Sequence, residues 1–331
     1  MADSSTYTQL LKEVREKSAA INTTPLIKRD FISLSKSNTT SYKKENAFRV
    51  MQWNLLAQAL CQTSDGFILC PNAALDWSYR QHHIMEELLT YCADIYFLEE
   101  LDHYPFVEKE MQKIGFSGLF FPKPDSPCLY QAINNGADGC AIFWRNSQFK
   151  LLSHDSIILL NDKGIETNQV ALLCNFESMS GKKLLCAVTH LKSKTGFEEY
   201  RFQQGKYLEK VLSEKANGLP VILCGDFNAE PTEKVVKVMK SSKLMLKSAY
   251  TNLSLHEDEP PYTTWKVRAG RKGGEKEEVC HTIDYIFYSE NSLACTGLLK
   301  LPTADEIGKD FLPSYAYPSD HLSLVADFQL L

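Results

Sequence analysis

The chain has 331 residues, 44% of them hydrophobic, and a net charge of −5. That is ample for a buried core, arranged as two ordinary domains or one large sandwich. Residues 1–48 carry 8 basic and 5 acidic side chains, leaving 28 basic against 36 acidic for the rest, which makes the body a poor general trap for long polyanions but leaves room for a small basic pocket.

The first 45 residues are rich in Ser, Thr, Asn and Lys around one short amphipathic stretch, Leu10 to Val14. They read as an N-terminal arm or docking helix followed by a linker, with a catalytic domain over 46–331. The start, Met1-Ala2-Asp3-Ser4-Ser5, has neither the basic nor the apolar part of a secretory signal. No apolar run approaches the roughly 18 residues of a membrane span. Cytoplasmic residence is the expectation, with a mitochondrial isoform as the alternative.

From Phe48 onward, β-rich runs occupy 49–56, 94–101, 140–144, 168–176, 183–190, 220–225, 282–288 and 322–328. Most are almost continuously apolar, as strands covered on both faces are. Helical patterns fall at 79–92, 103–114, 197–215 and 232–242. The mixture predicts two packed sheets flanked by helices. A Gly/Lys/Glu stretch at 268–278 reads as a solvated loop between two strands. The ten cysteines include no C-x-x-C pair, and Cys140, Cys174, Cys186 and Cys224 sit within apolar runs. They are read as reduced thiols packed as small hydrophobes, in preference to a disulfide framework or zinc ribbon.

Several of these apolar runs end in a polar group suited to metal or phosphate. Gly225-Asp226-Phe227-Asn228 follows one strand, and the spacing of two sends Asp226 and Asn228 toward one side of the sheet rim. Others end in Asn54, in the pair Glu99-Glu100, and in His190. Later come Asp284, in His281-Thr282-Ile283-Asp284, and the pair Asp320-His321. Each taken singly has a plain structural reading: a turn former, a solvated strand end, or a hydrogen-bonded core histidine. Their accumulation in one chain, each after a run that should be buried, favours a site.

That set, in that order, resembles the exonuclease/endonuclease/phosphatase superfamily, with a match from Asn54 to His321. The resemblance is densest with its deadenylase-like branch. It is carried by Arg49 to Asn54, Phe120-Phe121-Pro122-Lys123-Pro124, Asn134-Asn135-Gly136, Pro260 to Trp265 and Tyr317 to Val325. The resemblance implies an α/β fold, a four-layer α/β/β/α sandwich of two mixed sheets. It implies that Glu100 and Asn54 hold Mg²⁺, with Mn²⁺ as a substitute. Asp226 would position or activate water and Asn228 hold a phosphoryl oxygen. His321, oriented by Asp284, and His190 would stabilise charge at phosphorus, and Asp320 would complete the acidic cluster. Asp226 and His321 both stay open as the base.

The same resemblance implies removal of the 2′-phosphate of NADP⁺ and NADPH to give NAD⁺ and NADH, the dinucleotide being gripped by Lys123, Asn135, Lys192, Lys194 and Arg268. A poly(A)-specific 3′-exoribonuclease is the alternative, and an inactive adaptor the second. NADP(H) is thus the expected partner ahead of RNA, and a monomer the expected state. Two positions depart from the family's pattern: Glu99 stands where Gln precedes the metal-binding Glu, and Lys194 where the branch has Arg.

Overall fold

The computed structural model describes residues 4–21, 23–34, 46–61, 67–269 and 276–331. One sheet contains Phe31–Ser33 (β1), Ala47–Asn54 (β2), Ile95–Glu99 (β3), Phe116–Pro122 (β4), Gly139–Arg145 (β5), Leu293–Leu299 (β14) and Leu324–Leu330 (β15), in the order β1-β14-β15-β2-β3-β5-β4. The other contains Phe149–Leu160 (β6), Glu166–Ser178 (β7), Lys183–His190 (β8), Val221–Asp226 (β9), Leu246–Ser248 (β10) and Asp284–Ser289 (β13), in the order β10-β13-β9-β8-β7-β6. Both are mixed: β2 runs parallel to β3, and β8 to β9, among antiparallel neighbours. Thr264–Ala269 (β11) and Lys276–His281 (β12) form a separate antiparallel ribbon.

Side-chain alternation along the strands builds the layers. Val50, Phe97 and Ile142 from one sheet meet Leu172, Cys186, Val188, Cys224 and Ile286 from the other in the central core. The opposite faces carry Met51, Trp53, Tyr96 and Leu98, covered by Trp77–Thr90 (α3) and Tyr104–Lys113 (α4). On the second sheet they carry Leu173, Leu185 and Leu223, covered by Glu198–Ala216 (α5) and Lys234–Lys240 (α6). The result is the expected α/β/β/α sandwich. Asn72–Leu75 (α2) and Ala304–Ile307 (α7) are short helices in the loops. The ten cysteines are free, and Cys140, Cys174, Cys186 and Cys224 are buried in the strands. No helix among the described residues is long and apolar enough to cross a membrane.

The N-terminal segment contributes to this body. Ser4–Ala20 (α1) buries Leu10 and Val14 in the core under α3. Farther on, buried Arg29 pairs with Glu87 of α3 and donates to the Ser323 carbonyl at 2.8 Å. The rest of the linker, 35–45, lies outside the described residues. At 268–278 the structure differs from the expected loop: β11 runs through Arg268 to Ala269, and β12 resumes at Lys276. Lysine and glutamate are tolerated there because both strands belong to a ribbon with an open face; residues 270–275 lie outside the described set.

Candidate active site

The alternation that builds the core also builds the site. Continuing the inward parity of Val50, Phe97, Val188, Cys224 and Ile286 to the strand ends brings Gln52, Asn54, Glu99, His190, Asp226 and Asp284 onto the facing inner surfaces. Register completes the convergence. His190 of β8 and Asp284 of β13 are each paired with Asp226 of β9, while Asn54 is paired with Glu99. Gly225 permits the tight packing of this row, since a Cβ there would lie 2.1 Å from the Thr189 carbonyl oxygen.

Asp226 is the hub. Its carboxylate accepts from Asn54 Nδ2 at 3.0 Å and from the Asn228 backbone at 2.8 Å. His190 Nε2 lies 3.5 Å away and His321 Nε2 3.8 Å. Burial is the largest influence on Asp226 and, with Asp284, outweighs the attraction of His321, raising its pKa to about 7. Asn228 turns its own side chain elsewhere, donating to the Leu191 carbonyl at 3.2 Å.

The surroundings shift the two histidines in opposite directions. Burial depresses both, but at His321 the carboxylates of Asp284, Asp320 and Asp226 override it and raise the pKa to about 9. Its Nδ1 sits 2.9 Å from Asp284 Oδ2, which also accepts from Thr263 Oγ1 at 2.6 Å. At His190, burial and then Lys123 and His321 hold the ring neutral, with its pKa well below the ordinary value. Asp226, Asp284 and His321 offer ligand atoms within 4.8 Å of one another, but these groups are already engaged, Asp226 by Asn54 and Asp284 by His321 and Thr263.

Glu100 offers a better donor. It directly follows β3 with a left-handed backbone, φ 51°, which swings it out of line with Glu99. One oxygen accepts from the Ala57 backbone at 3.2 Å and the other lies 3.9 Å from His190 Nε2. A single partly exposed carboxylate fits Mg²⁺, which keeps several waters and takes one or two protein oxygens, and the Asn54 amide oxygen accepts at 3.0 Å from the backbone of Leu56, the residue before the Ala57 that binds Glu100. The chemistry of this donor set accommodates a divalent cation.

A cationic rim surrounds the acids. Lys123 is buried against Asp138 at 2.6 Å, and Glu100 also favours its charged form. Lys192 is half-buried, with its ammonium 4.9 Å above the Phe197 ring, while Lys194 is exposed at φ 82°. Arg268 lies 3.6 Å from Asp320 and 4.8 Å above Phe67. Asp320 therefore faces two cations, Lys266 and Arg268. Although burial opposes ionisation, Lys266, His321 and Arg268 hold its pKa well below the usual carboxylate range. Asn135 lies exposed on the loop before β5, the loop that also supplies Asp138.

Several contributors escaped the sequence reading. Lys266 was hidden in the strand after Thr263-Thr264-Trp265, and its partner Asp320 comes from a distant loop. Gln52 donates to Glu99 at 2.8 Å and to Asp284 at 3.3 Å; its parity with Asn54 was the available signal. Buried Arg80 donates to the Leu55 and Leu56 carbonyls at 2.6 Å each, and to Gln58 and the Pro318 carbonyl at 2.7 Å each. It thereby ties the loop supporting Glu100 to the one carrying His321.

Glu99 lies beneath this floor, fully buried. Burial first, then Asp284, Asp226 and Glu100, raise its pKa well above the ordinary carboxyl range, so the folded protein holds it as a neutral acid. A raised carboxyl pKa makes the folded state bind the extra proton, so stability is lost as pH rises above about 4.5. Glu99→Gln removes this dependence. We expect a Tm above the parent's near pH 8, by a margin that shrinks to near-parity at about pH 4.5, measured by thermal melts. A Tm advantage that does not grow with pH would count against a protonated Glu99.

The chain belongs to the endonuclease/exonuclease/phosphatase family, whose model matches residues 51–321. It is accordingly a nuclease- or phosphatase-type hydrolase. Among its relatives, it is 47% identical over 324 residues to Nocturnin of Mus musculus, covering 96% of this chain and 73% of that protein. It is similar to the solved human Nocturnin catalytic domain with bound sulfate anion, at 42% identity and TM-score 0.75, covering 92% and 98% of the two chains. A more distant similarity, 25% over 364 residues, links it to the CCR4-Not complex 3′-5′-exoribonuclease subunit Ccr4 of Saccharomyces cerevisiae, covering 94% of this chain and 42% of that protein.

Proposed function

We propose that the chain is a Mg²⁺-dependent phosphatase that removes the 2′-phosphate of NADP⁺ and NADPH. The observation that carries this reading is the arrangement of Lys123, Lys192, Lys194 and Arg268 around an acidic centre. A cluster of cations at that rim suits a compact ligand with a terminal phosphate and a pyrophosphate. Human Nocturnin's bound sulfate is in keeping with an anion site in this fold.

Glu100 and Asn54 would hold the cation, which would supply Lewis-acid polarisation of the phosphoryl group and offset its developing charge. Asp226, ionised above about pH 7, takes the proton of the attacking water. His321, charged below about pH 9 and oriented by Asp284, donates toward the phosphoryl group. Neutral His190 supplies a second donor without adding charge. This assignment chooses Asp226 over His321 as the base, because an imidazolium has no site for another proton. Asp320, engaged by Lys266 and Arg268, orders the cationic side of the pocket.

The reading is tested by measuring phosphate release from NADPH beside shortening of oligo(A), each with Mg²⁺ or EDTA. Mg²⁺-dependent phosphate release from NADPH with little oligo(A) shortening is expected; the reverse pattern would make the chain a 3′-exoribonuclease, and neither would favour an adaptor. For Lys194→Arg we expect KM for NADPH to fall about fivefold, since a guanidinium adds a second phosphate contact worth about 1 kcal/mol. An unchanged or higher KM in initial-rate kinetics would remove Lys194 from the phosphate grip.

A further inference from the structure

The loop between β8 and α5 carries two of the rim lysines and is assembled against its own charge. Burial, Lys194 and Lys123, in that order, lower the Lys192 pKa, so the three ammonium groups oppose one another. Lys194 also holds a left-handed backbone, φ 82°, which a side chain with a Cβ disfavours. Without an anchor, the loop would relax away from both.

Arg201 supplies the anchor. This buried residue in the first turn of α5 donates through Nη1 to the carbonyls of Lys192 at 3.1 Å and Lys194 at 2.9 Å. Its Nε and Nη2 bind the Glu233 carboxylate at 3.0 and 2.9 Å. One turn on, Gln204 accepts from the Lys192 backbone at 3.2 Å and donates to Thr167 at 3.0 Å and Gln169 at 2.7 Å. The guanidinium is thus engaged by main chain and Glu233, underneath the loop.

We propose that Arg201 is the positioning residue of the cationic rim, clamping the carbonyls of Lys192 and Lys194 so that both ammonium groups are assembled before an anionic substrate arrives. The inference rests on the dinucleotide-phosphatase reading and adds the device that prepares its phosphate grip. Preassembly removes an ordering cost from binding and leaves the chemical step alone. Lysine at 201 would keep a charge beside Glu233 but lose the fork that reaches both carbonyls.

The test compares Arg201→Met, Arg201→Lys and Glu233→Gln, each with NADPH and with oligo(A), alongside thermal melts. For both Arg201 variants, KM for NADPH should rise about tenfold with kcat within about threefold of the parent. Glu233→Gln keeps an acceptor for Arg201, so it should lower Tm while leaving KM in place. Should Arg201→Met fail to fold, Arg201→Lys carries the comparison. The clamp is overturned by a KM within twofold of the parent in the Arg201 variants, or by a KM that follows Tm across all three proteins. If the parent releases no phosphate from NADPH, the substrate reading falls separately. The same split is then sought on oligo(A), where its absence overturns the clamp.

Discussion

Glu100→Ala is expected to lower kcat for Mg²⁺-dependent phosphate release about 1,000-fold while leaving the protein folded. The size follows from removing the principal oxygen ligand of a cation that contributes several kcal/mol to the transition state, about 4 kcal/mol corresponding to that factor. Folding should survive because Glu100 is partly exposed beyond the end of β3, and its backbone conformation is already left-handed in the parent. Circular dichroism and a Mg²⁺ titration of phosphate release provide the check. Undiminished activity on either NADPH or oligo(A) would show the metal assignment to be wrong.

The second large effect concerns Asp226 and the Asp284–His321 pair. The parent should give a bell-shaped kcat profile, rising as Asp226 ionises near pH 7 and falling as His321 deprotonates near pH 9. Asp226→Asn removes the base and should cost about 100- to 10,000-fold in kcat. Asp284→Asn acts differently. It removes the largest favourable influence on imidazolium, so burial prevails and the upper limb moves down from about 9. Profiles measured with saturating substrate decide the matter: an upper limb unmoved by Asp284→Asn would mean that another group titrates there.

The expected strands at 49–56, 94–101, 183–190, 220–225 and 282–288 correspond to β2, β3, β8, β9 and β13. They were legible because strands buried on both faces are nearly continuous apolar runs whose polar ends stand out. β6 was harder to see: much of it is exposed at a sheet edge, where Lys150, His154 and Asp155 interrupt its apolar residues. The ribbon β11–β12 was obscured by its own charge, and Lys266 with it.

Within the site, sequence could nominate Asn54, Glu100, Asp226 and His321 separately. It could not supply the registers pairing His190 and Asp284 with Asp226, nor the fold-dependent charge states of the two histidines. Glu99 illustrates the same limit. As one of two adjacent glutamates it read as part of a polar strand end, whereas the pleat turns it inward, where burial favours its neutral form.

The location of the cation distinguishes this account from the competing acidic trio. A crystal grown with Mn²⁺ and examined at an anomalous wavelength should show its peak within about 2.5 Å of a Glu100 carboxylate oxygen, on the Asn54 side. A peak ligated by Asp226, Asp284 and His321, with Glu100 unengaged, would contradict it.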